Sequence, residues 1–172
     1  MRIFTLSAAL SLSVFSLTAA AHDHHHGHHG HHDVTDYSAQ FAEAKTTTQV
    51  RAEQCWVRLL PEHVPSAGYF VLHNDGDQAM NLLAAISPSY DDVMLHETIE
   101  QDGMAKMVMA EKMEIPAKGT LEFKPGGLHA MFEKPVAKLQ VGDRMQVELL
   151  FDHAQKISMD CKVNPANARQ FE

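Results

Sequence analysis

The sequence predicts an all-β fold, a small sandwich or barrel, and two observations carry that expectation. From residue 49 onward, short apolar stretches alternate with tight-turn signals. No helical periodicity of any length competes with them in this region. About eight or nine strands at this spacing suit two packed antiparallel sheets or a closed barrel.

The elements follow in order. QVRAEQCWVRLL (49–60) and AGYFVLHN (67–74) are the first two candidate strands, then MNLLAAIS (80–87) and DVMLHETIE (92–100). MAKMVMA (104–110), TLEFKP (120–125) and LHAMFEK (128–134) come next, and RMQVELLFD (144–152) and KISMDCKV (156–163) close the series. Between them lie NDGD, QDG, PAKG, PGG and VGD. Gly, Pro, Asn and Asp supply the positive φ angles and local hydrogen bonds that such turns need. The last strand alternates cleanly, with Ile157, Met159, Cys161 and Val163 on one side and Ser158, Asp160 and Lys162 on the other.

What precedes the strands is of a different kind. Residues 1–21 hold Arg2, an apolar run and three closing alanines, the layout of a cleavable export signal. That run is shorter than the roughly 20 residues a membrane span requires, so no stable membrane insertion is expected. Residues 22–33 read HDHHHGHHGHHD and hold eight of the 13 histidines: His22, His24, His25, His26, His28, His29, His31 and His32. With nothing apolar to bury, residues 22–32 are expected to be a disordered metal-binding tail. A chain beginning at His22 would offer a free amine, two backbone nitrogens and the His24 imidazole, a tetragonal set suited to Cu(II). Zn(II) is a second candidate there. Residues 33–47 are expected as a linker with a short helical turn, and residues 164–172 as a frayed tail.

Charge and cysteine count narrow the class further. A formal net charge of −8 with no basic cluster argues against nucleic acid and anionic membrane as partners. Cys55 and Cys161 are the only cysteines, and an oxidising compartment permits one disulfide between them. There is no nucleophile motif, zincin pattern or phosphate loop, so an enzyme is not expected.

Methionine is the anomaly. Six of ten lie between residues 94 and 131: Met94, Met104, Met107, Met109, Met113 and Met131. Methionine is a flexible core filler, but these gather in three strands and mix with His96 and His129. Asp102-Gly103 is a strong two-residue hairpin signal. It would pair Gln101 with Met104, Thr98 with Met107 and His96 with Met109. Met94, His96, Met107 and Met109 would then share one face. His129 and Met131, two apart in a strand, also share a face. Thioethers with imidazoles select Cu(I) over Zn(II), Ca(II) or Mg(II). Geometry alone leaves Met107 and Met109 as alternatives.

His96, Met107, His129 and Met131 reproduce the spacing H-x10-M-x21-H-x-M, and IPAKGTLEFKPGGLHAMF lies between and around the later members. In this the chain resembles the periplasmic copper chaperones of the PCu(A)C family, over about residues 48–163. The resemblance implies a cupredoxin-like β-sandwich that holds Cu(I) near its surface. It implies His96 and His129 as the histidine ligands and Met107 and Met131 as the methionine ligands. Met94 and Met109 become neighbours. It also implies a periplasmic location and delivery to the binuclear copper site of cytochrome c oxidase subunit II or to other copper-assembly factors.

Two other classes compete. A blue-copper protein needs a cysteine thiolate with two histidines and a weak axial methionine. No His or Met follows Cys161, and His63 is eight positions past Cys55 in a loop, so the local spacing is poor. A periplasmic copper or zinc scavenging or resistance protein would use the same tail and ligands. His63, His73 and His153 lie in loops or at strand ends and are expected to be ordinary surface histidines.

Overall fold

The structure is a computed structural model, and it describes residues 35–110 and 113–171. The expected leader (1–21) and histidine-rich tail (22–32) lie outside the described residues. In chain order the elements are α1 (Ser38–Glu43), β1 (Lys45–Thr46), β2 (Val50–Arg58), β3 (Ser66–Asn74), β4 (Met80–Ile86) and β5 (Tyr90–Gln101). They continue with β6 (Met104–Met109), β7 (Glu114–Ile115), β8 (Thr120–Phe123), β9 (Leu128–Pro135), β10 (Arg144–Phe151) and β11 (Gln155–Asn164). The nine expected strands are all present; β1 and β7 are two-residue additions too short to carry a periodicity.

One hydrogen-bonded path runs β6-β5-β9-β8-β3-β2-β11-β10-β4-β7, and β1 pairs with β11. It is an open cupredoxin-like sheet that wraps one core. Val57, Phe70, Leu72, Leu82, Phe132 and Leu149 are among the side chains that meet there. Every strand from β2 to β11 contributes to this core except β6. That strand ends the path, so among the described residues one of its edges is unpaired, and its side chains stay outside the packed interior.

β2 changes phase midway. Val50 and Ala52 turn toward the core before Gln54, and Cys55 and Val57 do so after it. A register shift against β3 and a positive φ of 53° at Gln54 mark the bulge responsible. The bulge brings Cys55 to Cys161 on the parallel neighbour β11, and the two form a disulfide with Cα atoms 4.5 Å apart.

Both flanks are docked. The linker expected before the sheet carries α1, whose Phe41 packs on Leu150, and Lys156 Nζ donates to the Phe41 carbonyl at 3.1 Å. The C-terminal tail expected to fray instead buries Ala168 against Trp56 and Tyr69. Trp56 faces away from the core because its neighbours Cys55 and Val57 face into it, and this apolar pair needs cover. Arg58 supplies the clasp: its Nε donates to the Ala168 carbonyl at 3.0 Å, and its guanidinium lies over both rings. Burial raises the Tyr69 phenol above its ordinary range, with the Arg58 charge opposing.

Candidate metal centre

Two hairpin halves build the site. Asp102 and Gly103 have φ of 55° and 75°, the left-handed conformation that a two-residue turn demands at both positions. With the turn set, the register follows: Gln101 pairs with Met104, Thr98 with Met107 and His96 with Met109. Leu95 points into the core, so Met94, His96 and Thr98 point out of it, and Met107 and Met109 join them across the ladder.

β9 then pairs antiparallel with β5. His129 stands directly opposite His96, and Met131 directly opposite Met94. Ala130 and Phe132 are buried in the core, so His129 and Met131 fall on the outer face with the others. The four residues of the spacing motif are thereby gathered on three adjacent strands. Met94 and Met109 sit among them, each directly opposite one motif residue.

Side-chain geometry tightens the cluster. His96 Nδ1 and Met131 Sδ are 2.8 Å apart, so an imidazole nitrogen and a thioether sulfur converge on one point. The two imidazole rings have centroids 6.0 Å apart and are tilted by 45°. His129 is only 6% exposed, although it faces away from the main core. Its Nδ1 lies 2.9 Å from the Gly127 carbonyl oxygen, which can only accept. In the neutral ring Nδ1 therefore carries the proton, and Nε2 is left with the lone pair a metal requires. The same carbonyl accepts from the Thr98 amide at 3.2 Å, tying the Pro-Gly-Gly turn to β5. Residue spacing carries no sign of this contact; it exists because β9 starts beside Thr98.

Exposure rises from β9 to β6. Met109 is 37% exposed and Met107 is 53% exposed. The donors thus run from a buried imidazole to solvent-facing thioethers. Among the described residues, no group of three or more His, Cys, Asp or Glu is placed to hold a metal ion. A set of four donors arises only when the thioethers are counted. Two imidazoles with two or more thioethers fit a soft, closed-shell ion and offer no carboxylate or carbonyl oxygen to a hard one.

The remaining candidates lie elsewhere. Cys55 and Cys161 are bonded to each other, so neither supplies the thiolate of a blue-copper centre. His63 lines a cavity of about 350 Å³ with Leu59, Tyr90 and Phe132. His73 Nε2 is 3.2 Å from the Glu53 carboxylate. His153 sits in the β10–β11 turn with φ of 56°.

Comparison with known proteins gives the following. Residues 50–163 match the family described as "Putative lipoprotein LpqE-like". The uncharacterized protein RP573 of Rickettsia prowazekii is 32% identical over 106 residues, which is 59% of this chain and 59% of that protein. "Putative lipoprotein Lxx21020" of Leifsonia xyli is 30% identical over 108 residues, 62% of this chain and 64% of that one. The match thus spans about three-fifths of the length of these curated relatives. Among solved structures, the Cu(I) form of DR1885 from Deinococcus radiodurans is 29% identical with a TM-score of 0.55, covering 74% of this chain and 84% of its own. The copper-bound PCuAC domain of PmoF2 reaches a TM-score of 0.58 over 71% of this chain and 97% of its own; at 19% identity that likeness is one of fold.

Proposed function

The chain belongs to the LpqE-like family, of the PCu(A)C type, and from that premise we propose that it is an exported copper carrier, not an enzyme. It holds Cu(I) with His96, Met107, His129 and Met131. The single observation that carries the reading is the β5–β9 register, which sets His129 against His96 and Met131 against Met94 on one face. Copper here is cargo: a carrier needs a site open enough for ligands to exchange, and the thioethers of an exposed strand provide that.

The lipoprotein name of the family and of the Leifsonia relative supports export, hence a periplasmic setting. Among the described residues no helix is long and apolar enough to cross a membrane. Thioethers suit an oxidising compartment, because they bind metal without losing a proton and do not pair into disulfides. The acceptor assigned from the PCu(A)C resemblance is the binuclear copper site of cytochrome c oxidase subunit II or a copper-assembly factor that serves it. The histidines of residues 22–32 would collect Cu(II) or Zn(II) in addition to the Cu(I) held by the domain.

Cu(I) titration of residues 33–172 against a chromogenic chelator, with X-ray absorption to count sulfur and nitrogen neighbours, tests the site. Mixed ligation is expected in the parent. Met131→Ala should remove a sulfur neighbour and weaken binding by about 10–100-fold. Ligation and affinity unchanged by that substitution would overturn the reading.

A further inference from the structure

We infer that Met109 is a fifth copper ligand, exchanging with Met107, so that the bound ion has two alternative thioethers on β6. The inference rests on the four-donor reading above and extends it to a residue outside the H-x10-M-x21-H-x-M spacing.

The register is the first ground. Met109 is directly opposite His96, whereas Met107 is opposite Thr98 and only diagonal to His96. Directly opposed side chains start about 4.5–5.5 Å apart at Cβ, diagonal ones about 7–8 Å apart. The Ala110 amide donates to the Leu95 carbonyl at 3.0 Å, which makes that pair the hydrogen-bonded kind. Counting on by one, His96–Met109 is a non-hydrogen-bonded pair, and by two more so is Thr98–Met107. Side chains in such pairs approach most closely. Met109 is therefore at least as well placed toward His96 as Met107 is.

Packing is the second ground. β6 gives no side chain to the main core, and Met107 and Met109 are both exposed. Neither thioether is needed as core filler. Each is an unbranched chain with three rotatable bonds, free to swing. The left-handed turn at Asp102-Gly103 prevents the strand from slipping, so both stay on the His96 face.

The chemistry balances simply. One copper–sulfur bond forms as the other breaks. The ion stays Cu(I), no proton moves, and His96, His129 and Met131 keep hold throughout. Exchange lets the ion pivot between two thioethers of the exposed strand while its other three ligands hold it, so it always keeps a thioether from β6.

The test uses the full chain labelled with 13C at the methionine methyls. Cu(I) is added until the Met131 methyl stops moving, which reports filling of this site regardless of the histidine tail. Both the Met107 and the Met109 methyl should shift over the same range. Competition with a Cu(I) chelator, read at Met131, should show Met107→Ala and Met109→Ala each weakening binding by less than about tenfold. The double variant should lose about 100-fold, because each thioether covers for the other. A Met109 methyl that stays still while Met131 moves would overturn the proposal. So would a double variant no weaker than Met107→Ala. A Met131 methyl that never moves would instead sink the four-donor reading, and this inference with it.

Discussion

At the scale of single residues, the site depends on what lies behind it. Met131 and His129 point outward because Ala130 and Phe132 point inward, and Phe132 is held by a missing side chain. A Cβ built on Gly68 would come within 2.5 Å of Phe132 Cε2. Phe132 is fully buried, so its ring has little room to yield. Gly68→Ala should destabilise the fold by about 1–3 kcal/mol through overpacking, measured by urea unfolding. A variant as stable as the parent would show that the Phe132 ring has space to move. The alternation of LHAMFEK made the outward pair legible from the sequence. The burial of His129 and the Thr98 amide's bond to the Gly127 carbonyl were not legible, because both need β5 lying alongside.

At the scale of elements, the β5–β6 hairpin is the part that was most readable. Asp102-Gly103 between two apolar runs specifies a two-residue turn, and the turn specifies the register. β6 lacks core contacts, so this register depends on its turn more than that of any packed strand. Gly103→Val places a β-branched side chain at a φ of 75°, a strain of about 1–2 kcal/mol. We expect Cu(I) affinity to fall about tenfold, the equivalent of that strain. Amide exchange should quicken in β6 while β10 and β11 remain protected. Equal loosening of all strands would mean that the hairpin is part of the cooperative core. β2 teaches the reverse lesson. Its apolar residues read as an irregular run, since the bulge at Gln54 reverses the inward phase, and no local pattern announces where that falls.

At the scale of the whole molecule, the two ends of the sheet region are locked together. β2 opens it and β11 closes it, and the Cys55–Cys161 bond joins them across 106 residues. Closing so long a loop removes entropy from the unfolded chain. Replacing both cysteines by serine should cost about 2–5 kcal/mol, seen as a lower thermal midpoint. Cu(I) affinity at the folded temperature should hold, because β5, β6 and β9 pair with neither β2 nor β11, and β3 stands between β9 and β2. A large loss of affinity with an unchanged midpoint would contradict this division between staple and site.

The sequence by itself determined the strands, the turns that separate them, the faces that the regular strands show and the H-x10-M-x21-H-x-M spacing. These are local properties: alternation has a period of two, and turn residues announce themselves. Tertiary structure decided the rest. It set His129 and Met109 both directly opposite His96. It also aligned Cys55 with Cys161, and it folded α1 and the C-terminal tail onto the sheet. The physical reason is that β-strand pairing is chosen by backbone hydrogen bonding and burial between segments far apart in the chain. No periodicity within a segment records which neighbour it will meet.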